Sequence, residues 1–226
     1  MPNIETANAS ALQQIKEIEK RDHPLLICDV DEVLLQFIPH LERFMKDHGI
    51  SFKETAYRLK ANMVYTQTGE NLTDDACMAV IHNFFESEVG KQEAVPHAAE
   101  QLERLSKLCD IVILTNLPGS HNKSARENLL TRLGMDYPLV TNEGPKGGAV
   151  AALCAERGHH PVIFIDDSPT NIISVGKSTP HVQLVHFIAD SRFFATAGDL
   201  PNVALKSNCW KETGDFIENL LVAAVR

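Results

Sequence analysis

What this 226-residue chain lacks narrows it first: it has no C-x-x-C pair, no H-x-x-x-H or H-E-x-x-H spacing, and no excess of basic residues. The five cysteines, Cys28, Cys77, Cys109, Cys154 and Cys209, are scattered and odd in number, so they read as reduced thiols of a cytoplasmic protein. Without metal-ligand spacings the ten histidines are weak metal candidates, and His159-His160 reads as a loop pair ahead of a strand. Lys and Arg number 21 against 30 Asp and Glu, and the formal charge of −9 argues against a broad nucleic-acid surface. It does not argue against a small anionic substrate, because a few local cations and a metal ion overrule the global field. Every apolar run falls far short of the about 20 residues a membrane-spanning helix needs, so no membrane partner is expected. Met1-Pro2-Asn3-Ile4-Glu5 has neither a basic start nor an apolar run, so no signal peptide is expected either.

What is present is the composition of an ordinary globular protein, 44% hydrophobic and 23% charged, long enough for one sizeable core with or without a small accessory domain. Short continuous apolar runs, of the kind buried on both faces of a parallel sheet, occur at 25–28, 111–114, 162–165 and 182–188, with a weaker one at 138–141. Helical periodicity separates them: 8–21 capped by Asn8 or Ser10, 98–108, 123–133 stopping at Gly134, and 148–157 stopping at Gly158. This alternation predicts a doubly wound, mainly parallel α/β sheet whose ligands bind beyond the carboxyl ends of the strands. One stretch breaks it. Residues 40–90 hold no strand-like run, only helical patterns at 41–48, 53–64 and 74–89, the last capped within Asn71-Leu72-Thr73-Asp74. The stretch is too long for a loop and is expected to be a small all-helical domain inserted after the first strand, leaving 1–39 and 91–226 as the core. Residues beyond about 190, with Trp210 and an amphipathic helix from about Asp215, are expected to complete the edge of that core.

The strands end on the residues that a phosphate-handling site needs. The first runs into Asp29 and Asp31, whose two-residue spacing on an extended chain points both side chains the same way. The second ends in Thr115-Asn116 and the fourth in Asp166-Asp167-Ser168. Strand ends lie side by side in a parallel sheet, so several carboxylates converge, and like charges that close raise each other's pKa unless a cation sits among them. All-oxygen ligation suits Mg²⁺ better than zinc.

Taken in order, these signals resemble the four motifs of the haloacid dehalogenase-like hydrolase superfamily. Asp29-Val30-Asp31-Glu32-Val33 is similar to the first motif, D-x-D-x-[T/V], and Ile113-Leu114-Thr115-Asn116 to the second. Lys146 in Gly144-Pro145-Lys146-Gly147-Gly148 takes the place of the third-motif lysine, with Lys123 as its competitor, and Ile165-Asp166-Asp167-Ser168-Pro169-Thr170-Asn171 resembles the fourth. The resemblance covers the chain from Leu25 to about Ile188. It implies a Rossmann-like core with a helical cap at 40–90, and roles residue by residue. Asp29 would be the nucleophile that forms an aspartyl-phosphate, and Asp31 the acid and then the base. Thr115, with the Asn116 amide, would bind a phosphoryl oxygen, and Lys146 would supply positive charge. Asp29, Asp31 through its carbonyl, Asp166 and Asp167 would hold Mg²⁺ or its waters.

The resemblance therefore implies a Mg²⁺-dependent phosphate monoester hydrolase acting on a small phosphorylated metabolite. A phosphomutase or other phosphotransferase keeps the same two aspartates and stays open. A dehalogenase, whose halide leaves without a proton, would lack an acid at Asp31. A non-catalytic regulatory relative is the reading from another class, motivated by Glu32, where many relatives carry a small residue, and by the acidic surface. The cap side chains Arg58, Lys60, Tyr65 and His82 are candidates to touch a leaving group. The only macromolecular partner left open is a second copy in a homodimer.

Overall fold

A computed structural model of the chain describes residues 7–19, 21–54, 56, 59, 62–155 and 159–224. In chain order the elements are α1 (Ala9–Glu17), β1 (Leu25–Cys28), α2 (Ile38–Asp47), β2 (Ile50–Phe52), β3 (Met63–Tyr65), α3 (Asp74–Glu88), α4 (Ala98–Leu105) and β4 (Asp110–Asn116). They continue with α5 (Asn122–Arg132), β5 (Leu139–Asn142), α6 (Gly147–Cys154), β6 (Val162–Asp166), α7 (Pro169–Ser178), β7 (Gln183–Phe187), α8 (Ser191–Thr196), β8 (Val203–Ser207) and α9 (Trp210–Ala224).

Six strands form one parallel sheet in the order β5-β4-β1-β6-β7-β8. The central strands β1 and β6 are apolar up to their polar carboxyl ends because both faces are covered, and successive residues supply opposite faces. Leu26 and Cys28 of β1 join the cluster under α4, α5 and α9, while Leu25 and Ile27 join the one under α1, α6 and α7. The order reverses at β1, with β4 and β5 to one side and β6, β7 and β8 to the other. A crevice opens beyond the strand ends at such a reversal. The expected run at 138–141 is strand β5, and the expected core edge is strand β8. The last helix starts at the buried Trp210, earlier than the expected Asp215, because that ring anchors its first turn against Phe187 of the sheet. Gly158, the expected stop after α6, lies outside the described residues.

The segment between β1 and α4 departs from the expected all-helical domain. Between helices α2 and α3 it carries a two-stranded antiparallel ribbon, β2 with β3. The helix expected over 53–64 is absent among the described residues. Buried Asn62 instead closes an irregular loop, accepting from the Glu54 N–H and donating to the carbonyls of Glu54 and Ala56. These bonds, with ribbon pairing at Phe52↔Met63, override the local helical pattern. The insert packs around Leu41, Met45, Met63, Phe84 and Phe85, and reaches the sheet end through Leu117, Ile188 and Phe193. Its two junctions are laced together: the Gln36 N–H donates to the Glu93 carbonyl at 2.9 Å, and the Val95 N–H to the Leu34 carbonyl at 2.9 Å.

Candidate active site

Strand ends β1, β4 and β6 bring the sequence-predicted residues to one place. Asp29 follows β1, its N–H donating to the Ile165 carbonyl of β6 at 2.9 Å, so the chain stays in register past the strand end. Thr115 closes β4, and its buried Oγ1 has no hydrogen-bond partner. Lys146 arrives from the loop after β5. The Asn116 side chain holds that loop, donating to the Gly144 carbonyl at 2.9 Å. Gly147 allows the next helix to sit close: a Cβ there would stand 2.7 Å from the Ser174 carbonyl oxygen of α7.

Lys146, fully buried, lies with Nζ 2.7 Å from Asp29 Oδ1 and 2.7 Å from Asp166 Oδ2. Burial alone would lower its pKa, but Asp166 and Asp29 outweigh it and hold the pKa above the ordinary lysine range. The competing Lys123 donates to Gln14 of α1 and has no part in this cluster. Burial pushes the Asp29 carboxyl up, Lys146 pulls it back, and Asp166 adds to the rise. Asp166 is spoken for by protein: besides Lys146, it accepts from the Ser168 N–H at 2.9 Å and from the Asn171 amide at 3.0 and 3.2 Å. Asp167 is half-buried and pushed well above the carboxylate range, by burial first and then by Asp29, Glu32 and Asp31.

Asp31 has partners that the sequence did not announce. Arg126 of α5, with no exposed surface, places Nη2 3.1 Å from Oδ1 and 3.4 Å from Oδ2, and Gln92 Nε2 donates to Oδ1 at 2.9 Å. Burial raises the Asp31 pKa, Arg126 opposes that, and Asp29 adds to it. The signal for Arg126 was a charge on the buried stripe of α5, beside Leu129 and Leu130. Gln92 carried no signal, being 61 residues from Asp31.

Glu32 is also fully buried, at a left-handed φ of 63°. Its carboxylate accepts from the N–H groups of Phe37 (3.1 Å) and Ile38 (2.8 Å) at the start of α2, and of Asp190 (2.5 Å) before α8. Burial pushes this carboxyl up to about 7 against the three donors that hold it down. The residue that looked out of place in the first motif therefore fastens the insert to the core. Of the cap candidates, Tyr65 and His82 are exposed, and Arg58 and Lys60 lie outside the described residues.

Ligand oxygens of Asp29, Asp166 and Asp167 lie within 4.8 Å of one another. Four carboxyl groups (Asp29, Asp31, Asp166, Asp167) gather here with two cations (Lys146, Arg126), so the oxygens outnumber the positive charges available to them. An oxygen-only donor set with that surplus fits a hard divalent cation such as Mg²⁺.

No family model and no curated protein matches the sequence. Solved structures do. A HAD hydrolase, YfnB, from Bacillus subtilis bound to magnesium is similar with a TM-score of 0.57 at 14% identity, over 87% of this chain and 99% of that one. The chain has the haloacid dehalogenase-like fold. A HAD family hydrolase from Deinococcus radiodurans with bound phosphate and sodium aligns with a TM-score of 0.56 at 14% identity, over 88% of this chain and 97% of the other. A protein named as a β-phosphoglucomutase from Bacteroides vulgatus aligns with a TM-score of 0.52 at 16% identity, over 97% and 100%. Identities this low establish the haloacid dehalogenase-like fold, and a fold alone assigns no reaction. No helix among the described residues is long and apolar enough to cross a membrane.

Proposed function

We propose that the protein hydrolyses phosphate monoesters through an aspartyl-phosphate on Asp29. The observation that carries this reading is the Lys146 ammonium 2.7 Å from Asp29, with the unpartnered Thr115 hydroxyl at the end of the neighbouring strand and Asp31 two residues along. An Asp29 oxygen attacks phosphorus as the ester P–O bond breaks, and Asp31 gives its proton to the departing alkoxide. Its raised pKa supports that role. Asp31 then takes a proton from the water that displaces Asp29 from phosphorus, releasing inorganic phosphate. Thr115 and Lys146 supply a donor and a positive charge for the phosphoryl oxygens. Mg²⁺ held by Asp29, Asp167 and the Asp31 carbonyl, with Asp166 beside them, would neutralise charge on the phosphoryl group. The magnesium and the phosphate named with two similar structures support the same chemistry. The inserted segment at 40–90 would serve as a cap that limits water at the reacting atoms.

The test is phosphate release from a panel of phosphorylated metabolites with Mg²⁺, comparing the parent with Asp29→Asn. Turnover that the substitution abolishes is expected. No turnover in the parent, or equal turnover in both, refutes the reading. A phosphotransferase would pass the group to a second hydroxyl and release no free phosphate, so the same assay separates the two.

A further inference from the structure

Arg126 pairs with Asp31 through Nη2 alone. Its Nε and Nη1 are buried without any hydrogen-bond partner, and so is the Oε1 of Gln92 on the other side of the same carboxylate. Single unpartnered polar atoms occur elsewhere among the described residues, but here three of them gather around the one carboxylate of Asp31, which points to a ligand there. A pairing needed only for stability has no use for the extra donors, since a buried ion pair gains little over well-packed apolar side chains. The place is also particular. Asp31 is the residue expected next to the leaving oxygen, so Arg126 and Gln92 face the non-phosphate part of a substrate. The Phe85 ring of α3 lies 5.9 Å from the guanidinium, and Gln92 sits in the linker that returns from the insert. Core and insert thus meet around one buried cation.

We infer that Arg126 and Gln92 form a leaving-group subsite, and that the substrate is a phosphate ester carrying a second anionic group, a carboxylate or a further phosphate. Arg126 would bind that group through the donors left over from Asp31, and the Gln92 carbonyl would accept from a hydroxyl or amine beside it. This rests on the hydrolase reading and adds the chemical class of the substrate.

The test measures kcat/KM with Mg²⁺ for alkyl phosphates matched in size that differ by one carboxylate or by one further phosphate, in the parent and in Arg126→Met. The parent is expected to prefer the acidic member by roughly 100-fold or more, as a site built around buried donors does. Arg126→Met is expected to bring that ratio down to about threefold or less, whatever happens to its overall rate. The two arms show which anion is read. Equal use of both members by the parent overturns the inference, and so does a variant that keeps the parent's ratio. If circular dichroism shows Arg126→Met unfolded, the parent's ratio and its fall in Gln92→Leu decide instead. Turnover that depends on Asp29 but shows no acidic preference defeats this inference alone, whereas no such turnover on any ester defeats the hydrolase reading as well.

Discussion

Removing the Glu32 carboxylate loosens the seam between core and insert, and its cost can be worked from the contacts. Three backbone N–H groups, of Phe37, Ile38 and Asp190, donate to the one buried carboxylate. With its pKa raised to about 7 the carboxyl is only partly charged near neutral pH, so each bond contributes about 1 kcal/mol net, and losing three of them costs about 3 kcal/mol in Glu32→Ala. Glycine at the same place should do better. With φ at 63° an L-residue carries ~1–2 kcal/mol of steric strain that glycine escapes. Glycine returns part of that through the greater freedom of its unfolded chain, so Glu32→Gly should exceed Glu32→Ala by about 0.5–1 kcal/mol. Urea unfolding followed by tryptophan fluorescence suits the question, because Trp210 is the sole tryptophan and its Nε1 donates to the Val33 carbonyl at 2.8 Å, one residue from Glu32. Both variants within about 0.5 kcal/mol of the parent would show that the carboxylate fastens nothing. An alanine variant more stable than the glycine one would refute the left-handed backbone.

Lys146→Met leaves Asp29 and Asp166 facing each other without their shared cation, so it should destabilise by about 3–5 kcal/mol and cut phosphate release by roughly 100-fold or more. A soluble variant with parental melting and turnover would contradict that. For pH, burial and then Arg43 lower the His40 pKa below its ordinary 6.5. A base whose folded pKa is depressed contributes stability above its unfolded pKa and loses it as pH falls below about 6.5, because the unfolded chain binds the proton first. The raised carboxyls of Glu32 and Asp167 act in the opposite sense, so the readout is a difference: the melting temperature of His40→Gln minus that of the parent should rise from pH 8 to pH 5, and a constant difference would rule His40 out as a contributor.

The sheet and most of the candidate site were legible because their signals are local. A strand covered on both faces must be apolar along its whole length, as Leu25–Cys28 and Val162–Asp166 are up to the terminal aspartate, and polar residues can begin only where cover ends. That rule alone places Asp29, Thr115 and Asp166 at one edge. What sequence could not supply was pairing between distant residues. Gln92 meets Asp31 through the closing of a long insertion, and Arg126 meets it from α5, 95 residues along the chain. Glu32 looked like an anomaly because its partners are backbone amides, which every residue has and no composition reveals. The ribbon at β3 escaped for a related reason: three residues carry too little pattern, and their pairing with β2 comes from the fold.

The two junctions of the insert lie a single hydrogen bond apart, from the Gln36 N–H to the Glu93 carbonyl. For the core, the intervening residues amount to one turn in the chain, since it leaves and re-enters at the same point. The sheet can thus accept a module of another length or design there without re-threading any strand. Asp29, Lys146 and Arg126 stay with the core, while Phe85 and Gln92, which travel with the insert and its return linker, would be exchanged. A grafted insert would therefore alter the surroundings of Asp31 from one side only, replacing Gln92 and Phe85 while Arg126 of α5 is kept.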